Sequence, residues 1–273
     1  MQGYVRIGLR KGITIMLAEE RRLRIREFLA AHRTVTVADL TKTLKVTTAT
    51  IRRDLAELEV EGALVRSHGG AVSRTASTDF QLPYEALRKS NTSEKEAIAA
   101  EADRLIQEGD TVFLEGSTTV FELACLIFRR TRLTVVTNSP PILDKLQRSP
   151  GITVMSTGGE LQKDTAYLSG VWAQRALSEI RVDKAVLGVS AIDLEYGIST
   201  TRPALAEVKK LLVRAAKTRI ALVDHTKFGK QDFVHVGPVT DYNVIVTDWA
   251  TPAKIVAELR DKGVEVIVAK MRK

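Results

Sequence analysis

The sequence predicts an α/β protein in two parts: a small, mostly helical N-terminal module, then a larger α/β domain with a mainly parallel sheet. Three observations carry this. Seven short runs rich in Val and Ile (111–115, 133–137, 152–156, 184–190, 219–224, 243–248 and 264–268) are near-continuously apolar, as strands covered on both faces are. Helical patterns alternate with them, and strand–helix alternation builds parallel sheets. Before about residue 73 the texture is instead helical, with one short strand-like stretch.

Composition narrows the function classes. The 273 residues suffice for one large domain or two unequal ones, and 44% apolar with 27% charged residues is ordinary for a soluble globular chain. No window nears ~18 uninterrupted apolar residues, so no transmembrane helix and no membrane partner are expected. "MQGYVRIGLRKGITIM" has neither the apolar core nor the cleavage site of a signal peptide, and the expected location is the cytoplasm. The single cysteine, Cys125, excludes an internal disulfide framework and a multi-cysteine metal site, and in "FELACLIF" it reads as an inert buried thiol. No cofactor and no metal are expected. The net charge of +8 is uneven: residues 1–75 hold 14 Lys/Arg against 8 Asp/Glu, a net of +6. A basic quarter on a nearly neutral remainder points to a polyanion-binding module attached to something else.

In chain order, residues 1–15 form an extension, either disordered or preceding a true start at Met16, which is followed at once by the amphipathic "LAEERRLRIREFLAAH". Leu23 or Ile25, with Phe28 and Leu29, gives that helix a narrow apolar stripe. Thr36, three residues before Asp39, resembles a capping box opening a short helix with Val37, Leu40 and Leu44 on one face. Thr47 or Thr48 caps a second helix whose stripe is Ile51, Leu55 and Leu58, leaving Thr48, Ala49, Thr50, Arg52 and Arg53 around its exposed first half. Two short helices joined by a tight turn, the second basic at its start, form a helix-turn-helix pattern. The second helix of that motif enters the major groove. Arginine suits bidentate contact with guanine, and threonine suits a phosphate or a thymine methyl. Gly62 stops the helix, and "ALVRSHGGAV" alternates through a hairpin, a wing whose Gly69-Gly70 tip carries Arg66 and His68. The expected DNA contacts are Thr36, Thr47, Thr48, Ala49, Thr50, Arg52, Arg53, Arg66 and His68. The bland alternative for Arg52 and Arg53 is a solvated face pairing with Asp54, Glu57 and Glu59. The module spans 16–73, the weakly patterned 74–92 reads as a linker, and 93–273 is the larger domain.

In that domain the helix patterns are Ser93–Gln107, Thr119–Arg130, Pro140–Arg148, Val171–Ile180, Pro203–Lys217 and Pro252–Lys262. Glu115, Gly116, Ser117, Thr118 and Thr119 close a strand and open a helix, where free N–H groups and the helix dipole favour an anion. Thr137, Asn138 and Ser139 close a second strand before Pro140-Pro141, and Gly158-Gly159 follows a third. Each cluster alone reads as a cap or a turn. Three at successive strand ends point to a ligand site, since ligands gather at the carboxyl ends of such strands.

"TATIRRDLAELEVEGALVRSHGGAV" resembles the winged helix-turn-helix signature of DeoR-family bacterial transcription regulators. "FLEGSTT", "VVTNS", "STGGEL", "LGVSAID", "GIST", "AEVKK" and "DHTKFG" resemble, in order, the blocks of that family's sensor domain, so the likeness runs over roughly residues 16–255. It implies a sensor similar in fold to ribose-phosphate isomerase and CoA-transferase-like enzymes, a phosphorylated sugar or related effector, and repression. Ser117 departs from the glycine of many relatives. Asp183, Asp193, Glu207, Lys209 and Lys227 fall in or beside these blocks. The resemblance makes Lys227 a partner for an anion or sugar hydroxyl, against the reading of an ordinary surface lysine; Asp193 and Glu207 would accept from hydroxyls. The expected function is therefore a repressor of carbohydrate genes, released from a double-stranded operator by a phosphorylated sugar, and acting as a dimer or tetramer. The alternative is an isomerase-like enzyme using Asp193 or Glu207 as base and Lys227 as cation; the DNA-binding module argues against it. A sensor that only oligomerises, and an activator, are further alternatives.

Overall fold

The computed structural model describes residues 17–32, 34–61, 63–67, 69–73, 84–162 and 165–271. The chain divides into two compact units, Met1–Ser77 and Thr78–Lys273.

In the first unit α1 (Ala18–His32), β1 (Thr34–Thr36), α2 (Val37–Leu44) and α3 (Thr48–Val60) precede a hairpin of β2 (Leu64–Ser67) and β3 (Gly70–Ser73). Ile25, Leu29, Leu40, Leu44, Ile51, Leu55 and Leu58 form its core. Thr36 caps α2 by accepting the Asp39 N–H at 3.0 Å, and Thr47 caps α3 by accepting the Thr50 N–H at 3.2 Å. β1 adds a third antiparallel strand, in the order β1-β3-β2, which the sequence pattern does not reveal. A Cβ on Gly70 would lie 1.9 Å from the Val35 carbonyl oxygen, so glycine is what lets β1 lie against the wing.

The second unit opens with α4 (Tyr84–Lys89) and α5 (Thr92–Asp103). There follow β4 (Thr111–Leu114), α6 (Thr118–Ile127), β5 (Leu133–Thr137), α7 (Pro140–Leu146) and β6 (Ile152–Ser156). A small hairpin, β7 (Glu160–Gln162) and β8 (Tyr167–Ser169), leads into α8 (Gly170–Glu179) and β9 (Val182–Gly188). Next come β10 (Ala191–Asp193), β11 (Gly197–Thr200), α9 (Pro203–Ala215), β12 (Ala216–Val223) and β13 (Val234–Gly237). The chain closes with β14 (Val244–Asp248), α10 (Ala253–Asp261) and β15 (Glu265–Ala269). Seven strands form one parallel sheet in the order β15-β14-β12-β9-β4-β5-β6.

Alternate residues of each strand feed separate cores on the two faces. Phe113, Ala185, Leu187, Ala221 and Ile245 pack with Leu177, Leu212 and Leu259 of α8, α9 and α10. Val112, Leu114, Val186, Leu222 and Val246 pack with Ile98, Leu123 and Ile142 of α5, α6 and α7. A sheet covered on both sides explains the continuous apolar runs. Tyr84–Lys89, expected within a linker, is helical: Tyr84 is buried and the Arg88 guanidinium sits 4.3 Å from the centroid of the Phe121 ring on α6.

Candidate DNA interface and effector site

The first half of α3 turns a polar surface outward, while Ile51 on its inner side is buried in the core. Thr36, Thr47, Thr48, Ala49, Arg52 and Arg53 are exposed and Thr50 is half-buried. Asp54 and Glu57 of α3, and Glu61 at its C-cap, are engaged by arginines of another helix. Asp54, buried, accepts from Arg21 Nε at 2.8 Å and from Nη2 at 3.0 Å, Glu57 pairs with Arg22, and Glu61 pairs with Arg26. These arginines lie on α1, over 30 residues away. Among the described residues Arg52 and Arg53 make no ion pair, so their charge faces solvent, which suits a phosphate backbone or a guanine edge. Arg66 lies in β2; its side chain, and all of His68, fall outside the described residues.

In the second unit the strand order reverses at β4 and β9, and open α/β sheets hold ligands beyond such a switch point. Its floor is a closed network. Lys209 Nζ on α9 donates to Glu115 Oε1 and to the Gly188 carbonyl, both at 2.7 Å, while the Gly188 N–H donates to Glu115 Oε2 at 2.9 Å. Glu115 is 1% and Lys209 2% exposed, so each satisfies the other's buried charge. Ser117 caps α6 by accepting the Thr119 N–H, and a Cβ on Gly188 would lie 2.1 Å from Ser117 Oγ. Thr118 and Thr119 are buried in the first turn.

The second strand end is also internally bonded. The Gly116 N–H donates to Asn138 Oδ1 at 2.9 Å, and Asn138 Nδ2 donates to the Leu168 carbonyl at 3.2 Å. Thr137 Oγ1 donates to the Leu114 carbonyl and accepts the Ser139 N–H, while Ser139 caps α7. All three residues are fully buried and fix loops against one another. Gly158 and Gly159 take φ of +64° and +112° after β6 and line an open groove of about 420 Å³ with Trp172 and Arg175 of α8.

The cations gather beyond β12. Asp224, buried, accepts from the Thr226 N–H at 3.0 Å, from the Thr226 hydroxyl, and from Asn91 Nδ2 at 3.4 Å. It opens the single 3₁₀ turn His225–Lys227, which Asp248 holds from the other side through the His225 N–H at 2.7 Å and Nδ1 at 3.0 Å. Lys95 of α5 is buried, donating to the Ser90 carbonyl at 2.6 Å and to that of Leu87. Burial brings Lys95 down to about 8; Asp224 opposes the shift and the Lys227 charge adds to it. Lys230 is likewise lowered by burial and by Lys227. Burial works against ionisation of Asp224, yet Lys227 and the Thr226 hydrogen bonds outweigh it and hold the carboxyl below its usual range. Asp232 moves the other way, raised by burial against the pull of Lys227 and Lys230. Lys227 thus lies within electrostatic reach of both Lys95 and Lys230, with Asp224 and Asp232 beside them.

The fold thus brings Glu115, Gly116, Ser117, Thr118, Thr119, Thr137, Asn138, Ser139, Gly158, Gly159, Lys209 and Lys227 to one edge of the sheet. Glu207 does not join them, while Asp193 lies next to the segment after Lys227, beside the Ile192–Phe228 bridge and Gln231, with its carboxylate bonded into its own turn. Asp193 Oδ1 accepts the Glu195 and Tyr196 N–H groups at 3.0 and 2.7 Å, closing the β10–β11 turn. Glu207 is on the exposed face of α9 beside Lys210, one side removed from Lys209. Asp183 is the second residue of β9, at the amino end of the strand and so away from the carboxyl ends, and pairs with Lys217. Sequence reasoning misses Asn91, Lys95, Asp224, Lys230 and Asp232. Only Lys95 leaves a signal: it shares the apolar stripe of Ile98, Ala99 and Ala102, an unusual place for a lysine.

Among the described residues no helix is long and apolar enough to cross a membrane. The family model described as DeoR-like helix-turn-helix domain matches residues 21–77, and that described as DeoR C terminal sensor domain matches residues 90–249. HTH-type transcriptional repressor GlcR of Bacillus subtilis (strain 168) is 35% identical over 261 residues, 93% of this chain and 97% of that one. The glycerol-3-phosphate regulon repressor of Escherichia coli (strain K12) is 27% identical over 232 residues, 85% of this chain and 91% of that one. A solved D-ribose-5-phosphate isomerase in complex with phospho-erythronic acid shows a TM-score of 0.37 at 20% identity, over 49% of this chain and 52% of that one. A likeness that distant says nothing of ligand or chemistry. The helix-turn-helix, the sensor domain and full-length repressor relatives agree, and the chain belongs to the DeoR family of DNA-binding transcription regulators, not to the enzymes.

Proposed function

We propose that this regulator is a repressor of carbohydrate genes, acting in the cytoplasm, and that a phosphorylated sugar or related metabolite releases it from its operator. The observation that supports this reading is the placement of Lys227 within electrostatic reach of Lys95 and Lys230, beside Asp224 and Asp232, beyond the carboxyl end of β12. A phosphate beside Lys227 would offset the effect of its charge on Lys95 and Lys230, and Asp232 would accept from sugar hydroxyls. The Glu115–Lys209 network then serves as the rigid floor. A relative named for the glycerol-3-phosphate regulon accords with a phosphorylated effector.

On the DNA side, Thr47–Thr50, Arg52 and Arg53 would enter the major groove, with two copies of the chain on adjacent half-sites. An effector that favours the released geometry by ~1–3 kcal/mol is sufficient for regulation. The test is thermal unfolding against phosphorylated sugars and their dephosphorylated counterparts, for the wild type and Lys227→Ala. At ~100 times its dissociation constant the effector adds about 2.7 kcal/mol to the wild type. The variant should lose most of that gain, and operator binding should weaken in parallel for the wild type alone. A shift that survives in Lys227→Ala, or equal shifts with the dephosphorylated sugars, refutes the assignment.

A further inference from the structure

We infer that Lys95 and Asn91 are positioning residues that report the occupancy of the effector site to α4, the helix by which the chain enters the sensor unit. The inference rests on the phosphate-binding role given above to Lys227. In chain order α4 is the first described element after the boundary at Ser77, so the chain between the DNA-binding unit and the effector site runs through it. Its C-terminal end is held by a side chain from α5. Lys95 Nζ donates to the Ser90 carbonyl at 2.6 Å and to the Leu87 carbonyl, although the residue is 3% exposed on the apolar stripe of Ile98, Ala99 and Ala102. The last carbonyls of a helix lack partners within it, and this buried ammonium satisfies them.

Asn91 ties the same end to Asp224. It is the N-cap of α5, yet its side chain makes no capping bond there; at φ +48° its Nδ2 instead donates to Asp224 Oδ1 at 3.4 Å, 133 residues on. Asparagine is a favoured N-cap and also tolerates the left-handed region, and here it gives up the first role to reach Asp224. Asp224 is buried, opens the turn that carries Lys227, and lies within electrostatic reach of both Lys95 and Lys227. Its carboxylate is thus shared between Lys227 on the effector side and Asn91 and Lys95 on the α4 side. An anion that takes up the Lys227 charge leaves Asp224 to Asn91 and favours the charged form of Lys95. Both changes tighten the hold on α4.

Hydrogen–deuterium exchange of the full chain tests this with glycerol-3-phosphate, glucose-6-phosphate and inorganic phosphate as probes. Residues 224–232 report binding, and residues 84–92 report the hold on α4. A probe that protects the first segment should slow exchange of the second by about 2- to 30-fold, the span of typical modulations of coupling. Asn91→Gly keeps the left-handed backbone and Lys95→Met keeps the apolar stem. Each should retain protection at 224–232 and lose the response at 84–92. Arg88→Ala, which removes the contact with the Phe121 ring, should speed exchange of α4 with and without probe and leave their ratio unchanged. A response at 84–92 that survives in both Asn91→Gly and Lys95→Met overturns the inference. So does protection at 224–232 with none at 84–92 in the wild type; the effector site stands in both cases. A ratio lost in Arg88→Ala as well would show that any loosening of α4 abolishes the response, and would remove the role given to Lys95 and Asn91. Loss of protection at 224–232 in both Asn91→Gly and Lys95→Met would make them part of the binding site instead. No protection at 224–232 with any probe overturns the proposed phosphate site and the inference together.

Discussion

Replacing Lys209 with Met tests whether the Glu115–Lys209 pair is scaffold or effector site. The two side chains meet at 2.7 Å with 1% and 2% exposure, and the same ammonium holds the Gly188 carbonyl. Methionine keeps most of the apolar stem and removes the charge and both hydrogen bonds. The carboxylate of Glu115 is then left buried with the Gly188 N–H as its one remaining partner. Removing one member of a buried pair costs about 3–5 kcal/mol. For a unit of this size each kcal/mol lowers the midpoint by roughly 2–4 °C, so the expected fall is on the order of 10 °C.

Both tryptophans, Trp172 and Trp249, lie in the sensor unit, so their fluorescence follows its unfolding separately from that of the DNA-binding unit. Adding Glu115→Gln removes the unpaired charge and should recover about 1–2 kcal/mol. The double variant is then more stable than the sum of the single losses predicts. A loss below about 1 kcal/mol in Lys209→Met, or strict additivity in the double variant, refutes the scaffold. So does unchanged stability with a large fall in effector affinity, which would return Lys209 to the ligand.

Lys95 gives a pH signature. Its folded value of about 8 lies below the usual 10.5, so between those values the unfolded chain binds the extra proton and stability rises with pH, by up to about 3 kcal/mol. Lys95→Met should flatten denaturant-derived stability across that window; an unchanged slope refutes the assignment. Asp54→Asn should cost the DNA-binding unit about 2 kcal/mol by weakening the twin hydrogen bonds from Arg21, while the tryptophan-monitored transition stays in place. Equal loss in both transitions would show that the units do not unfold separately. Arg52→Ala and Arg53→Ala should each leave stability within about 0.5 kcal/mol, since both are exposed. Whichever reads a base should cost about 1–3 kcal/mol of operator affinity at fixed salt, and unchanged affinity in both variants would remove them from the interface.

How legible these features are in the sequence depends on how local their causes are. The inner strands of the parallel sheet stand out because burial on both faces makes them near-continuously apolar, while β6 and β15, at its two ends, are legible from their Val and Ile content alone. β7, β8, β10 and β11 are three or four residues long and owe their existence to the partners they meet, so no periodicity marks them. α4 has six residues, too few to show a stripe. The exposed face of α3 is readable as what remains once Ile51, Leu55 and Leu58 are assigned to the core. That Asp54 and Glu57 answer to α1 instead of to Arg52 and Arg53 is not readable, because the deciding arginines lie 33 and 35 residues away. The strand-end clusters show the same divide. Their polarity is evident, but not that Thr137, Asn138 and Ser139 use it to bond neighbouring loops.

That division of labour gives a physical reason why such a site senses without catalysing. Aldose–ketose isomerisation needs a carboxylate base facing the substrate's acidic C–H. At this edge Glu115 is held by Lys209 and Gly188, Asp224 by Thr226 and Asn91, and Asp248 by His225 and the Ala250 N–H. Asp193 is bound into its own turn and Glu207 faces outward on α9. Asp232 is left, and burial favours its protonated form while Lys227 and Lys230 counter that, so it is better suited to sharing hydrogen bonds with a hydroxyl than to removing a proton from carbon. Lys227 lies in a single 3₁₀ turn, and Lys95 is bonded to backbone carbonyls where α4 ends and the sensor unit begins. Asn91, in the left-handed region at φ +48°, joins that entry segment to Asp224.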